Sequence, residues 1–241
     1  MSKSFFMELN TKLNNKPALP RSLPFVLFMA FVGLEEFARA LRNWQAISFS
    51  DVDLYWLYPP KAILTGLVLI FLWRQYSEVS WRELLSGIHT SISCLCGVVV
   101  FLLWINMDWA FGTTTVPQGF DPGLIENNGI RWLMIACRVA GAVLVVPVME
   151  EIFWRSFLLR YIIANDFTKV PVGQFTIFSF AVVVVLFGLE HNYFLAGMMA
   201  GVFFNLLLYY TKSIAQCILS HAVANLCLAY YVLTTGYWRF W

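Results

Sequence analysis

Two adjacent carboxylates and an arginine lie within an apolar stretch of the sequence, as Glu150, Glu151 and Arg155. Ionisable side chains are costly inside such a stretch and are therefore candidates for a functional site. On a helix, Glu151 and Arg155 share one face and can pair, whereas Glu150 points about 100° away. A carboxylate that faces a cavity of low polarity is suited to act as a general base or acid near neutral pH. The alternative is a structural ion pair beside one interfacial carboxylate.

Two of the three histidines have a partner four residues away, which places each pair on one helical face. The pairs are Phe187 with His191 and His221 with Asn225. The third histidine, His89, lies at a predicted helix start and is interpreted as interfacial. A lone polar residue in a span can simply link helices through a hydrogen bond. Taken together, however, a glutamate, two histidines and an asparagine supply a water activator, proton-transfer groups and oxyanion donors.

The segments that carry these residues are apolar enough to require a membrane. Hydrophobic residues make up 60% of the 241 residues and charged residues only 12%, whereas soluble domains carry about 25% charged residues. A water-soluble fold would leave much of this apolar surface wet. The net charge of +2 is spread thinly along the chain, which gives no reason to expect nucleic-acid binding. The expected partners are the lipid bilayer and a molecule associated with it.

A helix needs about 20 mostly apolar residues to cross a bilayer, and lipid cannot satisfy an unpaired backbone. We therefore predict an all-α, polytopic transmembrane bundle of about seven spans, with a range of six to eight. Residues 1–21 are predicted to be a cytoplasmic tail, and residues 22–241 a single membrane-embedded domain. The predicted spans are residues 22–41, 58–73, 90–106, 131–149 with a helical continuation to about 163, 171–190, 193–211 and 214–233.

The lysines and arginines of the connecting segments predict the orientation in the membrane. The tail is basic, and the segment 155–170 contains Arg155, Arg160 and Lys169. The connection 107–129, in contrast, contains carboxylates and neither lysine nor arginine. The amino terminus is therefore predicted to be cytoplasmic, and this connection to lie outside.

Three short motifs, in this order along the chain, resemble those of the CAAX-protease and bacteriocin-processing (CPBP) family, also called the type II CAAX prenyl proteases. They cover about residues 130–233, the expected family core. The stretch from Pro147 to Tyr161 also looks like a bacterial branch that is linked with exosortase systems, which implies a bacterial inner membrane. The motif residues are Glu150, Glu151 and Arg155 in the first motif, Phe187 and His191 in the second, and His221 and Asn225 in the third.

The resemblance implies an intramembrane endopeptidase that depends on glutamate and works without a bound metal or other cofactor. Its substrate would be a membrane-associated protein or peptide, which would reach a cavity open to the cytosol. The implied roles are water activation by Glu150 with His191, organisation of the site by Glu151 and Arg155 with Phe187 in support, and oxyanion stabilisation by His221 and Asn225.

Two alternatives stay open from the sequence. Glu150, His191 and His221 would match a catalytic zinc ligand set, although the chain contains no HExxH segment. A non-enzymatic membrane protein, such as a scaffold, an immunity factor or a transporter, would have retained the same fold. A transporter would be expected to repeat a paired acidic or broken-helix site in both halves, and the sequence contains no such repeat.

Two further patterns are interpreted as structural. Glu35, Glu36 and Arg39 imitate the first motif, but the arginine is one position too close, and Glu35 with Arg39 is expected to form an ordinary pair near a helix end. Gly197 and Gly201, each preceded by alanine, form a face of small residues. This face is predicted to pack within the bundle rather than to form a dimer.

Straight and regular spans would not bring the motif residues to one depth. With 1.5 Å of rise per residue, Glu150 would lie roughly 20 Å, His191 roughly 30 Å and His221 roughly 12 Å from the cytoplasmic ends of their helices. A shared site therefore requires tilt, a kink at Pro147, or a span that begins later than Pro171.

Overall fold

The computed structural model describes residues 15–45, 48–108 and 119–241 of the chain. These residues form helices joined by turns and loops, without a strand among them, which confirms the all-α class. Six helical stretches of this part of the chain are long and apolar enough to cross a membrane. The α-helices are α1 (Ala18–Asn43), α2 (Asp51–Tyr55), α3 (Tyr58–Leu72), α4 (Gly87–Trp104), α5 (Asn128–Ala140), α6 (Val146–Glu151), α7 (Leu159–Ile163), α8 (Ile177–Leu189), α9 (Phe194–Thr211) and α10 (Ile214–Thr235).

The fifth predicted span, 171–190, is shorter in the structure, where α8 begins only at Ile177. Its 13 residues are roughly 20 Å long, less than the ~30 Å thickness of bilayer hydrocarbon. Gly173 lies in the preceding turn with a φ of 74°, which interrupts a regular helix. The helix then starts at a side-chain cap, because the Thr176 hydroxyl accepts a hydrogen bond from the backbone N–H of Ser179 at 3.2 Å.

The fourth span is one continuous helical stretch, Asn128–Ile163, with two wider turns within it. These π-helical turns, Gly141–Val145 and Ile152–Leu158, join α5 to α6 and α6 to α7. Pro147 follows the first of them and has no N–H to donate to the preceding turn, which accounts for the change in hydrogen bonding there. Turns of this kind occur frequently at functional sites. In this chain they enclose the short helix that carries Glu150.

The small-residue face of α9 packs against α8, as predicted. A Cβ atom at Gly197 would lie 3.0 Å from the Cα atom of Gly188, and one at Gly201 would lie 3.4 Å from the Cα atom of Val184. The alanines that precede both α9 glycines are buried. The two helices therefore approach closely within the bundle, and this close approach positions the end of α8.

A buried ion pair ties the amino-terminal end of α1 to the loop after α3. Arg21 is 6% exposed, and its Nε and Nη2 groups donate to the Glu78 carboxylate at 2.7 and 2.6 Å. The Ser156 hydroxyl also donates to this carboxylate. Because α1 begins at Ala18, the last residues of the proposed tail 1–21 are helical.

At the opposite end of the bundle, the carboxyl-terminal residues pack against the connection between α4 and α5. Phe120 donates its backbone N–H to the carbonyl oxygen of Trp241 at 3.0 Å, and Arg239 pairs with Asp108 at 2.9 Å. The central part of the proposed loop 107–129 and the first 14 residues of the proposed tail lie outside the described residues.

Candidate active site

The structure brings the four proposed catalytic residues to one cavity of about 110 Å³. Glu150 reaches it from α6, His191 from the turn between α8 and α9, and His221 and Asn225 from α10. Phe187, the supporting residue of the second motif, also lines it. The convergence depends in part on the late start of α8 at Ile177. His191 lies roughly 20 Å from the start of this helix, whereas a regular helix from residue 171 would place it roughly 30 Å from its start.

Glu151 is the centre of the buried hydrogen bonding behind the cavity. Its Oε1 atom accepts from Arg155 Nη1 at 3.1 Å and from His221 Nδ1 at 2.9 Å. The side chains of Glu151 and Arg155 are both 0% exposed. The predicted pairing of these two residues is therefore confirmed, and the additional bond to His221 links α6 to α10.

Arg155 is held from three sides. Besides Glu151, its Nε group donates to Asn205 Oδ1 at 3.2 Å. The guanidinium also lies 4.5 Å from the ring centroid of Phe187 and 5.5 Å from that of Phe204. Phe187 thus contributes to the site by covering a buried cation with its aromatic face.

Glu150 differs from its neighbour because its carboxylate is not neutralised by Arg155. Its side chain is buried, and no hydrogen-bond partner for its Oε2 atom is present among the described residues. The nearest imidazole nitrogen, Nε2 of His221, lies 4.0 Å from Oε2. One carboxylate of the acidic pair is therefore committed to structure, while the other faces the cavity.

The ring of His191 is held in one orientation by its own helix. Its Nδ1 atom lies 2.7 Å from the carbonyl oxygen of Phe187. Because a carbonyl only accepts, Nδ1 carries the proton, and Nε2 is the acceptor in the neutral ring. Phe187 and Trp104 pack against the imidazole with centroid distances of 4.8 and 5.3 Å.

His221 and Asn225 lie one turn apart on α10. The His221 ring stacks on Phe204 with a centroid distance of 4.9 Å and an interplanar angle of 23°. Asn225 Nδ2 donates one hydrogen bond to the carbonyl oxygen of Ala142 at 2.8 Å. Since an amide nitrogen carries two hydrogens, this bond fixes the side chain and leaves one N–H for another acceptor.

A larger cavity of about 340 Å³ adjoins the first and shares Glu150, His191 and Asn225 with it. It extends towards the end of the bundle that is formed by Gly119 and the carboxyl-terminal residues up to Trp241. The smaller cavity is therefore connected to a wider vestibule at this end, opposite to the start of α1.

Sequence reasoning missed some of the residues that line the vestibule. Arg138 lies on its wall. A charged residue inside a predicted span is a candidate for a functional site, so the argument applied to Glu150 could also have identified Arg138. Glu190 also lines it and accepts from Trp154 Nε1 at 3.0 Å. Trp104 and Phe204 pack on the two imidazoles, which one sequence cannot predict because the contacts join different helices.

Other sequence candidates lie outside the site. His89 packs edge-on against Tyr210 near the start of α4. Glu35 pairs with Arg39 at 2.9 Å, as predicted. Across the described part of the chain, no three His, Cys, Asp or Glu side chains are arranged to hold a metal ion.

Residues 131–227 match the family model described as type II CAAX prenyl endopeptidase Rce1-like. The matched segment contains all three motifs, and it confirms the resemblance drawn from them. No curated protein and no solved structure matches the chain. At the level of the family, the match supports a hydrolase, a CAAX-type intramembrane protease, and the apolar helices identify an integral membrane protein.

Proposed function

Starting from this match to the type II CAAX prenyl endopeptidases, we propose that the chain hydrolyses a peptide bond of a membrane-associated protein or peptide, using water activated by glutamate and histidine. One observation carries the proposal: Glu150, His191, His221 and Asn225, which come from three separate parts of the sequence, line one cavity. Such a cavity offers a base, a proton carrier and oxyanion donors within a small volume.

Glu150 is the proposed general base. It faces the cavity without the neutralising contact that Arg155 gives to Glu151. In the proposed reaction, its carboxylate takes a proton from a water molecule as the water oxygen attacks the substrate carbonyl carbon. Because the surroundings are of low polarity, the hydrogen bond between this carboxylate and the water molecule is stronger than it would be in bulk water.

His221 and Asn225 are the proposed oxyanion donors. Because Nδ1 of His221 donates to Glu151, its Nε2 atom can donate only when the ring is an imidazolium. The proposed oxyanion role therefore requires the doubly protonated ring, whose Nδ1 lies 2.9 Å from the Glu151 carboxylate. Asn225 contributes the N–H group that its bond to Ala142 leaves free. Removal of one such donor typically costs 10²–10³ in rate, so about that loss is expected here.

His191 is the proposed proton carrier for the leaving group. Its Nε2 atom is the accepting nitrogen, since Nδ1 is engaged with the Phe187 carbonyl. When the carbon–nitrogen bond breaks, the proton taken from water is delivered to the departing amine through this imidazole. The overall reaction adds hydroxide to the acyl group and a proton to the amine, so one water molecule accounts for both products.

We place the protein in a bacterial inner membrane with its amino terminus in the cytoplasm, on the basis of the lysine and arginine distribution and the resemblance to the bacterial branch. In that orientation, the vestibule next to Trp241 opens on the opposite side, outside the cytoplasm. This differs from the cytosolic opening that the family resemblance implies. Fusions to the carboxyl terminus distinguish a cytosolic from an external opening of the vestibule. Green fluorescent protein is fluorescent when this terminus is cytoplasmic, and alkaline phosphatase is active when it is external.

A comparison of cleavage products in whole membranes tests the proposed activity and does not require an identified substrate. Membrane fractions of cells that express the wild-type chain or the Glu150→Gln variant are compared for newly formed peptide termini. We expect a defined set of new termini that appears only with the wild-type chain and is insensitive to a metal chelator. Identical sets in both cells would favour the non-enzymatic scaffold, immunity factor or transporter considered above, and loss of the termini on chelation would favour a metal mechanism.

A further inference from the structure

The vestibule contains a cation that the proposed mechanism does not use. Arg138 lies on α5, within a membrane-spanning stretch, and lines this cavity. Neither an ion pair nor a side-chain hydrogen bond joins its guanidinium to another residue in the described part of the chain. Because a charge within a membrane span is costly unless it is paired or reaches the interface, the surroundings of this arginine point to a ligand.

The other two cations of the vestibule already have carboxylate partners. Lys61 lies 3.6 Å from Glu35, and Arg239 lies 2.9 Å from Asp108. Both pairs are drawn from residues that the structure describes. Among these three cations, Arg138 is therefore the one whose charge is available to an anion from outside the chain.

The two carboxylates of the vestibule do not neutralise Arg138. Glu150 is twelve positions further along the same helical stretch, which corresponds to roughly 18 Å along the axis. Glu190 accepts from the indole N–H of the tryptophan four positions beyond Glu150, at 3.0 Å. The residues between the described ranges, 46–47 and 109–118, contain neither Asp nor Glu. A negative partner for the guanidinium must therefore come from the surroundings of the protein.

Aromatic contacts hold Arg138 in place without using its hydrogen-bond donors. Its guanidinium carbon lies 4.5 Å from the ring centroid of Tyr58 and 5.6 Å from that of Phe120. Tyr58 is itself fixed, because its hydroxyl donates to the backbone carbonyl of Arg138 at 3.2 Å. A guanidinium stacked on rings keeps its planar set of N–H groups, which match two oxygen atoms of a phosphate in a two-point contact.

The depth of Arg138 brings its guanidinium to the level of lipid headgroups. The continuous helical stretch Asn128–Ile163 contains 36 residues. Its length is roughly 54 Å, whereas the hydrocarbon of a bilayer is ~30 Å thick. With the excess divided equally between the two ends, the hydrocarbon begins about eight residues into the stretch. Arg138 then lies roughly 3 Å below this boundary, and its long side chain reaches back to the headgroups.

Apolar side chains of α1 line the same vestibule at a greater depth. Phe28, Met29 and Val32 lie on its wall and are half-buried. They fall in the middle of this 26-residue helix, at the depth of acyl chains. Val26 and Leu34, on the outward side of α1, are exposed and so face the lipid. The cavity thus combines a cation at headgroup level with a hydrocarbon surface below it, which is the pattern of a phospholipid.

We propose that the outer part of the vestibule binds an anionic phospholipid, with the headgroup phosphate on Arg138 and an acyl chain along α1. The phosphodiester offers two free oxygen atoms and one negative charge to the guanidinium. A zwitterionic headgroup carries the same phosphate together with a cation, which would lie near Arg138 and weaken the contact. The site therefore favours a lipid of net negative charge. This inference does not depend on the proposed peptidase activity.

The test measures lipid binding and needs no cleavage assay. The full-length protein in a nonionic detergent is titrated separately with phosphatidylglycerol and phosphatidylcholine of identical acyl chains, and native mass spectrometry gives the affinity of the first bound lipid. We expect phosphatidylglycerol to bind about 10- to 100-fold more tightly than phosphatidylcholine, the range expected for a hydrogen-bonded charged group. Arg138→Gln should bring this ratio close to 1, whereas Arg138→Lys should restore part of it.

Arg131→Gln is the matched control, because it removes an arginine from the same helix outside the vestibule. Arg131 donates to the Ile125 carbonyl at 3.0 and 2.7 Å, so its loss should leave the ratio of the two lipid affinities unchanged. The ratio is measured within each protein preparation, and therefore a partly unfolded fraction affects both lipids equally. Equal binding of the two lipids by the wild-type chain, or a preference that survives Arg138→Gln, would overturn the inference.

Two further measurements identify the ligand and its place. Inorganic phosphate at the concentration of the lipid should not displace phosphatidylglycerol, because it lacks the acyl chain that contacts α1. Displacement would assign Arg138 to a free phosphate ion and overturn the lipid assignment. Phosphatidylglycerol with a photoreactive group in its acyl chain should label residues 28–32 in the wild-type chain and much less in Arg138→Gln. Equal labelling of these residues in both proteins would also contradict the proposal.

Discussion

The two adjacent glutamates are expected to respond in opposite ways to the same conservative substitution. Glu151→Gln removes the charge that Arg155 and His221 share, at 3.1 and 2.9 Å. The guanidinium of Arg155 is 0% exposed, so it would be left as a buried cation without its carboxylate. Breaking a buried pair in this way typically costs about 3–5 kcal/mol.

Glu150→Gln is expected to leave the fold intact and abolish the reaction. The Oε2 atom of Glu150 has no hydrogen-bond partner among the described residues, so the substitution breaks no bond there. The free energy of unfolding should therefore change by less than about 1 kcal/mol. Loss of a general base lowers the rate by about 10²–10⁴, and loss of the carboxylate that activates water should place the variant at the upper end of this range.

Thermal unfolding in detergent, together with appearance of the new peptide termini, measures both effects. For a chain of 150–250 residues, about 1 kcal/mol corresponds to roughly 2–4 °C in Tm. Glu151→Gln should therefore lower Tm by roughly 6–20 °C, and Glu150→Gln by no more than about 4 °C. Glu151→Asp serves as a control that keeps the charge but shortens the reach to both partners.

The reasoning would be refuted by either of two results. Equal losses of Tm in the two Gln variants would mean that Arg155 does not depend on Glu151 for its neutralisation. Full activity of Glu150→Gln would mean that Glu150 is not the general base, regardless of the measured Tm values.

Three further perturbations test the positioning of the site. Gly197→Ala would place a methyl group 3.1 Å from the Cβ atom of His191. The imidazole should be displaced, and activity should therefore fall at least about tenfold. Gly33→Ala is the control, because nothing lies within 4 Å of the added carbon, and it should leave the activity unchanged. Asn225→Ala should lower kcat by about 10²–10³ with a smaller effect on KM, as measured with the cleaved peptide. Burial alone would raise the pKa of Glu78, but the hydrogen bonds and charge of Arg21 hold this pKa below its usual value of 4.5. Glu78→Gln should therefore reduce Tm at pH 7, and its difference from the wild-type chain should shrink as the pH falls below about 4.5.

Hydrophobic periodicity and span length predicted most of the helices because the thickness of the bilayer fixes how long a crossing helix must be. The exception is α8. Its preceding segment contains Val172 and Phe175, so the apolar run continues through residues that are not helical. The turn at Gly173 is a backbone property, which a hydropathy pattern does not contain.

Within the site, the sequence predicted contacts along one helix better than contacts between helices. The pairing of Glu151 with Arg155 follows from a spacing of four residues. The bond from His221 to Glu151 joins side chains 70 positions apart, and it depends on how α10 packs against α6. No rule of sequence spacing predicts the distance between these two side chains. The presence of glutamate and histidine together in otherwise apolar spans nevertheless indicated that they share one site.

The two adjacent carboxylates have different surroundings, which suit them to the two roles proposed for them. Glu151 accepts a hydrogen bond from Nδ1 of His221, so the other ring nitrogen, Nε2, is the one that lies towards Glu150 and the cavity. In the proposed reaction, Nε2 must carry a proton to act as an oxyanion donor, and the Glu151 carboxylate then lies beside the imidazolium. Glu150, which makes no such contact with Arg155, is the carboxylate proposed to take the proton of water. Exchange of the two roles is prevented by geometry, because only Glu151 lies within hydrogen-bonding distance of both Arg155 and the imidazole.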